Sequence, residues 1–338
     1  MIAPISLLVP TYNEAANISA CLKAIARQTY PSELVDVVLI DGRSTDDTLL
    51  QARQTADREG LSIRILHNEA RRTAIGLNIG LKHAQGDLVA RVDARSRIPP
   101  HYLQLTATLL ASNSTLGVVG GAQVTEARSS SIIDRGVARA LRNRWTTGLS
   151  RYRRRSSSGP ADTVWMGVFR AEELRRIGGW NESLAINEDF ELNSRYRQQG
   201  KIVWFEDSLS TAYVPRSPTG LAHQYYRYGR HKGALWVRGQ TLEPRQVVAL
   251  AAPPLLALPL ITLSIRRRNP TMSFGLALVS LLVADHVGTP NERAELSVRL
   301  MSATTIALYC TSWWIGTVVG AADECYSSSS PGSAAPRT

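Results

Sequence analysis

The sequence predicts an α/β protein, with a Rossmann-like, mostly parallel sheet wound with helices and with transmembrane helices after it. Over about the first 100 residues, short apolar runs alternate with helical stretches, as in successive βαβ units. Apolar runs long enough to cross a membrane occur near the C-terminus instead. We therefore expect a sheet domain over residues 1–240, a membrane region over 241–325 and a disordered tail over 326–338.

The apolar pattern predicts four strands and the helices that connect them. Strands are expected at residues 5–9, 35–40, 62–67 and 87–92, and helices at 15–28, up to 58, 73–84 and after Pro100. Ser44 or Thr45 is expected to cap the second helix. Asp41 and Asp93 follow two of the strands directly, at the edge where parallel sheets bind ligands. No Gly-x-Gly-x-x-Gly follows the first strand and no phosphate loop is present, which argues against a dehydrogenase or an ATPase.

Charge and cysteine content narrow the classes of partner and compartment. The formal net charge of +11 suggests an anionic partner, such as nucleic acid, acidic lipid or a phosphate-bearing substrate. The three cysteines are far apart and lack metal-ligand spacing, which fits a reducing compartment. The first apolar run, 5–9, is too short for a secretion signal, so none is expected.

Three apolar runs lie toward the C-terminus, at residues 247–265, 272–284 and 300–322. The first and third carry no charge and have the length that a bilayer requires, roughly 20 residues. The second is short, and a buried soluble helix remains the stronger alternative for it. We interpret the region as two or three membrane helices.

Residues 128–155 combine many arginines with an apolar stripe, which predicts an amphipathic helix. Such a helix suits contact with anionic lipid or a lipid-linked phosphate. A helix packed on the core with a solvated arginine face is the open alternative. The stripe consists of Ile133, Val137, Leu141, Trp145 and Leu149. A mobile hinge is predicted to follow at residues 156–160.

The acidic stretch at residues 187–191 is predicted to open a helix that runs to Arg197. Asn187 can serve as the N-cap, which places Glu188 and Asp189 in the first turn. The helix dipole stabilises ionised carboxylates there, and an ionised carboxylate can act as a general base. Ordinary helix capping is the alternative explanation.

Several motifs in order resemble the family-2 glycosyltransferases with the GT-A fold. The nucleotide-sugar half is expected here at 1–97, where three segments resemble that family: Pro10 to Glu14, Ile40 to Thr48 and Arg91 to Arg95. The acceptor half is expected at 98–240, where five segments resemble the family: Asp162 to Val164, Gly167 to Arg170, Gly178 to Glu182, Glu188-Asp189 and Gln224 to Arg230. The succinoglycan-type exopolysaccharide glucosyltransferases are the most similar group.

The resemblance implies a nucleotide-sugar site in which Asp41 bonds the uracil of a UDP-sugar. Asp93 corresponds to the first Asp of the metal-binding Asp-x-Asp element, which implies Mg²⁺ or Mn²⁺. Arg95 stands where the second Asp is expected, and a guanidinium cannot ligate a cation. Either Asp93 and the diphosphate hold the metal with waters, or Arg95 itself neutralises the diphosphate. The full set implied for the nucleotide-sugar is Pro10, Thr11, Tyr12, Glu14, Asp41, Arg72, Asp93 and Arg95.

For the acceptor half, the resemblance implies that Asp189 is the catalytic base and that Glu188 orients the acceptor. Residues expected to contact acceptor or diphosphate are Asp162, Trp180, Gln224, Arg227 and Arg230. The last three belong to a segment that resembles the Gln-x-x-Arg-Trp element of processive synthases, with Tyr228 in place of Trp. A Tyr/Arg-rich helix anchored at a lipid interface is the alternative for this segment.

The function implied is an inverting, membrane-bound glycosyltransferase that acts in exopolysaccharide or cell-envelope glycan synthesis. Its expected partners are a nucleotide-sugar, a lipid-linked saccharide acceptor and anionic membrane lipid, but not nucleic acid. The expected location is the bacterial cell membrane, multi-pass, with the catalytic domain cytoplasmic. Three alternatives stay open: a processive polysaccharide synthase, a polyprenyl-phosphate glycosyltransferase and a non-catalytic membrane-anchored binding module.

Overall fold

The structure is a computed structural model that describes residues 2–143, 151–153, 157–239, 279–280, 282–289 and 292–329. Its contacts divide the chain into two compact units. The first unit consists of residues 1–126 and 148–214, and the second of residues 127–147 and 215–338. The sequence had placed 127–147 and 215–240 in the sheet domain, but their contacts group them with the C-terminal helices.

The first unit is an α/β domain in which one sheet contains every described strand. In chain order its elements are β1 (Ile5–Thr11), α1 (Ala15–Ala26), β2 (Val35–Asp41), α2 (Thr48–Glu59), β3 (Ile63–His67), α3 (Thr73–His83), β4 (Leu88–Arg91), β5 (Ser96–Arg97), α4 (Tyr102–Ser112) and β6 (Leu116–Thr125). Residues 127–147 belong to the second unit. The first unit then continues with β7 (Gly159–Pro160), β8 (Trp165–Arg170), α6 (Ala171–Arg176), α7 (Glu188–Gln198) and β9 (Ile202–Tyr213). The four strands predicted from the sequence correspond to β1 to β4.

The sheet is mixed, and the prediction of a mostly parallel sheet is wrong. Its strand order is β3-β2-β1-β4-β8-β6-β9-β5, with β7 paired to β9. The β1–β2, β1–β4, β2–β3 and β6–β9 pairs are parallel, whereas β4–β8, β6–β8, β5–β9 and β7–β9 are antiparallel. The βαβ pattern extends only as far as β4, so the sequence contained no comparable signal for the antiparallel half.

Helices cover both faces of the sheet. The buried residues of β1 alternate between two cores: Leu7 packs with Ile18 and Leu22 of α1, whereas Leu8 packs with Leu77 of α3. Strands covered on both faces read as continuous apolar runs, which explains why β1 and β2 were recognised from sequence.

Three of the predicted site residues lie at the carboxyl edge of the parallel strands. Thr11 ends β1 and is paired in register with Asp41, the last residue of β2. The neighbouring strand β4 ends at Arg91, two residues before Asp93. The topology therefore brings Thr11, Asp41 and Asp93 to one edge of the sheet, as expected.

The predicted hinge at 156–160 is wrong for its described end. Gly159 and Pro160 form β7 against β9, and the Ser158 hydroxyl donates a hydrogen bond of 2.8 Å to Glu206. The Glu206 carboxylate and the backbone of β9 therefore hold this segment in place.

The second unit is helical in its described residues. It contains α5 (Ile132–Arg142), α8 (Pro218–Val237), α9 (Leu296–Ser329) and helical residues 282–288. Glycines spaced four residues apart lie where α8 and α9 meet, and a Cβ on any of them would overlap backbone of the other helix. This close approach is typical of helix pairs packed through small residues. The glycines are Gly229 and Gly233 on α8 and Gly316 and Gly320 on α9.

One described helix, Leu296–Tyr326 within α9, is long and apolar enough to cross a membrane. It contains the third predicted run, 300–322. The run 247–265 and most of 272–284 lie outside the described residues, so the two or three spans expected from sequence stay a prediction.

The amphipathic segment is a packed helix where the structure describes it. In α5 the stripe residues Val137 and Leu141 are buried, and Arg139 is buried in an ion pair with Asp285 at 3.0 Å. For this part of the segment, the alternative of a helix packed on other protein elements holds, although Arg139 is not solvated. Trp145 and Leu149 lie outside the described residues.

Candidate active site

Four charged side chains meet beyond the carboxyl end of β4. The guanidinium of Arg91 donates to Asp93 Oδ1 through Nε at 2.8 Å, and through Nη1 to Glu188 Oε1 at 2.9 Å and Asp189 Oδ1 at 2.8 Å. The Arg91 side chain is 7% exposed, and the carboxylates are between 13% and 23% exposed. The cluster therefore joins the donor-side Asp93 to the proposed base, Asp189.

Local backbone conformation places the two carboxylates of α7. The helix begins at Glu188, as predicted, and Asn187 occupies the N-cap position. Its φ of 63° is left-handed, and its side chain makes no hydrogen bond to the helix. The predicted N-cap position is therefore confirmed, but the prediction that the Asn side chain caps the helix is wrong. A left-handed residue that is not glycine marks backbone strain, which is common at functional sites.

Two indole N–H groups hold the carboxylates. Trp180 donates to Asp189 Oδ1 at 3.3 Å, and Trp165 donates to Asp93 Oδ2 at 3.2 Å. Trp180 is only 1% exposed, and its indole N–H is directed to Asp189. Contact of Trp180 with acceptor or diphosphate stays a prediction.

The environment of Asp189 suits proton transfer near neutral pH. Burial raises the pKa of Asp189 to about 7; Arg91 opposes the rise, and the nearby charges of Glu188 and Asp93 add to it. A pKa near the working pH is favourable for a general base. Burial lowers the pKa of Arg91, but the surrounding carboxylates outweigh it and raise that pKa, so the guanidinium stays charged.

Asp41 lies at the floor of the predicted nucleotide site and is 1% exposed. Its carboxylate accepts from the Ser44 hydroxyl at 2.6 Å and from the Ser44 backbone N–H at 3.1 Å. Beside it, Thr11 Oγ1 is buried and has no hydrogen-bond partner among the described residues. A buried hydroxyl without a partner is costly unless a ligand or water satisfies it.

The loops around Asp41 are held by their own side chains. Thr45 N–H donates to Asn13 Oδ1 at 2.9 Å, and Asn13 N–H donates to Ser44 Oγ at 3.0 Å. Ser44 and Thr45 therefore tie two loops together, and the prediction that one of them caps α2 is wrong, since Asp47 holds the N-cap position. Asn13, Arg43 and Arg71 adopt left-handed φ values of 52°, 60° and 53°.

The remaining predicted donor residues line the same edge. Tyr12 is 41% exposed and the guanidinium of Arg71 lies 5.1 Å from its ring centroid. Pro10 lies within β1, and Arg72 directly precedes α3. Contact of these residues with a nucleotide-sugar stays a prediction.

Arg95 forms an ion pair where the second carboxylate of the Asp-x-Asp element was expected. Its Nε donates to Glu14 Oε1 at 2.7 Å, and Glu14 Oε2 accepts from Asn17 at 2.7 Å. Contact of Glu14 with the nucleotide-sugar stays a prediction.

A divalent cation fits the donor set only with help from a ligand. Within the described ranges, no group of three or more His, Cys, Asp or Glu side chains is arranged to hold a metal ion. Asp93 offers a single carboxylate, already bonded to Arg91 and Trp165. Mg²⁺ is often bound through one or two carboxylates together with substrate phosphates. The residues therefore suit a cation that a bound diphosphate helps to coordinate.

The other predicted acceptor residues are separated from this cluster in the chain. Asp162 belongs to the first unit, is 88% exposed and lies 3.8 Å from Arg197. Gln224, Arg227 and Arg230 lie on α8 of the second unit, where Arg230 pairs with Asp323 at 2.8 Å. Their contact with substrate stays a prediction.

Sequence reasoning missed Arg91 and Trp165 as site residues. Arg91 had a readable signal, since it is the one charged residue in the otherwise apolar strand Leu88–Arg91. Buried arginines are rare unless paired, and the nearest acid in sequence is Asp93. Trp165 had no such signal because an aromatic in a strand is ordinary.

Comparison with known proteins identifies the family. Residues 6–175, half of the chain, match the family description "Glycosyl transferase family 2". The chain is 29% identical over 254 residues to "Succinoglycan biosynthesis protein ExoA" of Rhizobium meliloti (strain 1021), covering 74% of this chain and 75% of that protein. It is 25% identical over 244 residues to the "Dolichyl N-acetyl-alpha-D-glucosaminyl phosphate 3-beta-D-2,3-diacetamido-2,3-dideoxy-beta-D-glucuronosyltransferase" of Methanococcus voltae, covering 70% of this chain and 74% of that protein.

Solved structures share the fold. The mannosyltransferase PcManGT from Pyrobaculum calidifontis, in complex with GDP-Man and Mn²⁺, superposes with a TM-score of 0.60 at 21% identity, covering 94% of this chain and 88% of that one. S. aureus TarS 1-349 gives 0.50 at 18% identity, covering 91% and 90%. These likenesses confirm the GT-A-like α/β fold, with a mixed sheet in place of the mostly parallel one. The chain is a glycosyltransferase and belongs to glycosyl transferase family 2.

Proposed function

We propose that this glycosyltransferase transfers a sugar, with inversion, from a nucleoside-diphosphate donor to a lipid-linked saccharide. The observation that carries the proposal is the Asp189 carboxylate, which is only 19% exposed and shares the Arg91 guanidinium with Asp93. Its raised pKa of about 7 leaves it able to accept a proton at neutral pH.

In the proposed reaction, the acceptor hydroxyl attacks the anomeric carbon from the face opposite the diphosphate. The new glycosidic bond forms as the bond from the anomeric carbon to the diphosphate oxygen breaks. Asp189 takes the hydroxyl proton, and the diphosphate leaves with the bonding electron pair. A positioned general base contributes roughly 10²–10⁴-fold in rate.

The donor is proposed to be a UDP-sugar held at the carboxyl edge of the sheet. Asp41 is suited to accept a hydrogen bond from the base, and the partnerless hydroxyl of Thr11 lies on the adjacent strand. Pro10, Tyr12 and Arg72 are proposed to complete the nucleotide site. PcManGT is in complex with GDP-Man, so GDP-sugars are included in the donor screen.

We propose Mg²⁺ or Mn²⁺ as the cofactor, held by Asp93 and the donor's diphosphate. Such a cation neutralises charge that develops on the leaving diphosphate. Arg95, which pairs with Glu14 at 2.7 Å, is proposed as an alternative group that neutralises the diphosphate. On the resemblance of their motif alone, Arg227 and Arg230 are proposed as contacts of the diphosphate or the acceptor.

We propose that the acceptor is lipid-linked and that the protein acts at the bacterial cell membrane in exopolysaccharide or envelope glycan synthesis. The apolar helix in α9 supports membrane attachment. The names of the two relatives, which refer to succinoglycan biosynthesis and to a dolichyl phosphate, support the acceptor class. We further propose that the chain crosses the membrane more than once, contacts anionic lipid and presents its catalytic unit to the cytoplasm.

The test is a donor screen with the purified full chain and membrane-extracted acceptor. UDP-, GDP- and TDP-sugars are supplied in turn, and nucleoside diphosphate release and labelled sugar in the lipid fraction are measured. We expect one donor to give both signals, and EDTA to abolish them with restoration by Mg²⁺ or Mn²⁺. Release without transfer to lipid from every donor would contradict the proposed acceptor, and activity in EDTA would contradict the metal.

A further inference from the structure

We propose that Arg91 is a positioning residue that fixes which oxygen of Asp189 takes the acceptor's proton. The inference rests on the proposed function, because it assigns a role within the same reaction. It does not require Arg91 to touch either substrate.

Arg91 uses both edges of its guanidinium. Nε and Nη2 face the two oxygens of Asp93 at 2.8 Å and 3.4 Å, while Nη1 donates to Glu188 and Asp189 at 2.9 Å and 2.8 Å. Asp93 and the two residues of α7 are about a hundred positions apart in the chain. One planar side chain thus joins the donor-side carboxylate to the base, which a point charge cannot do.

The bonds to Asp189 are not shared between its oxygens. Arg91 Nη1 at 2.8 Å and Trp180 Nε1 at 3.3 Å both bind Oδ1. Among the described residues, Oδ2 receives no hydrogen bond. An oxygen with two donors is the poorer proton acceptor, so the geometry leaves Oδ2 as the basic atom and fixes the direction in which it points.

A purely structural ion pair does not explain the cluster. One guanidinium neutralises one carboxylate, whereas Arg91 is surrounded by three, each less than a quarter exposed. Burying surplus like charges is unfavourable for stability. Active sites often contain such arrangements because function, rather than stability, requires them.

The test compares Arg91→Lys and Arg91→Ala with wild type in the full chain, once the donor screen has identified a donor. Lysine keeps the charge but concentrates its donors on one nitrogen, so it cannot hold both sides at once. We expect kcat of Arg91→Lys to fall about 10²-fold, since misplacing a reacting group by about 1 Å has that effect. The donor KM should rise less, because Arg91 also holds Asp93. We expect Arg91→Ala to fall further and to recover partly with added guanidinium chloride, but not with equal sodium chloride.

Arg64→Ala is the matched control. Arg64 also makes a two-point pair with one carboxylate, that of Asp36, in the same unit but away from the cluster. It should keep wild-type kcat and show no guanidinium effect. If Arg91→Ala does not fold, Arg91→Lys decides alone.

The outcomes separate this inference from the proposed function. An active wild type with Arg91→Lys at full kcat, or with a change confined to donor KM, would overturn the positioning role and leave the proposed function intact. A wild type that transfers sugar from no donor would overturn both.

Discussion

Replacing Asp189 by Asn should stabilise the folded chain at pH 8 and leave its stability almost unchanged near pH 4. The pKa of Asp189 is about 7 in the folded protein, against an ordinary value of 3.8. Between these values the folded state holds a proton that the unfolded state has released. Stability therefore falls as pH rises through this window, and Asn, which does not ionise, escapes the loss.

The size of the effect follows from the pKa difference. A shift of about 3 units corresponds to roughly 4 kcal/mol at pH 8. Because 19% of the side chain reaches solvent, that figure is an upper limit, and we expect about 2 kcal/mol. The Asn amide oxygen can still accept from Arg91 and Trp180, so the substitution removes charge with little change of shape.

The assay is thermal unfolding of the full chain in detergent, followed by tryptophan fluorescence at pH 4 to 8. About 2 kcal/mol should raise the midpoint at pH 8 by roughly 4–8 °C. Asp57→Asn, at an exposed position on α2, is the control and should shift little at any pH. An Asp189→Asn protein that is no more stable than wild type at pH 8 would refute the reasoning about the buried charge.

Two other substitutions test separate parts of the molecule. Asp41→Asn should raise the donor KM at least tenfold with a smaller change in kcat, because a buried acceptor for the nucleotide's base becomes partly a donor. Steady-state kinetics measure both constants, and an unchanged KM would remove Asp41 from the nucleotide site. Gly316→Val should lower the unfolding free energy by about 2 kcal/mol, because the Cβ of the new valine would overlap the Tyr226 backbone oxygen. The control, Ala322→Val at an exposed position of α9, should lower it little. Equal stability of the two α9 variants in a urea titration would show that α8 and α9 do not pack through this glycine.

The first half of the fold was predictable because β1, β2 and β4 are mostly buried and so are mostly apolar along their length. Continuous apolar runs such as Ile5 to Val9 are distinctive, and the helices between them have turn residues at both ends. The antiparallel half was not predictable in this way. In β9, the alternation of buried and half-buried residues is interrupted at Glu206 to Ser208. Strands β5 and β7 are two residues long, too short for any periodicity.

The candidate site was predictable where topology alone places residues. Asp41 and Asp93 follow parallel strands, so a shared edge could be inferred from sequence order. The contacts that set the chemistry of Asp93 could not, because Trp165 and the α7 carboxylates that share Arg91 with Asp93 come from segments far from it in the chain. Trp180 illustrates the limit: its motif suggested a sugar contact, and only the structure shows that its indole donates to Asp189.

The central claim, that Asp189 is the base of a sugar transfer, is tested most directly by the transfer rate of Asp189→Asn beside that of Glu188→Gln. Both variants remove one charge from neighbouring residues of α7, and both are measured in membranes at saturating donor. We predict that Asp189→Asn loses roughly 10²–10⁴-fold and that Glu188→Gln loses less. Transfer by Asp189→Asn at the wild-type rate would contradict the account.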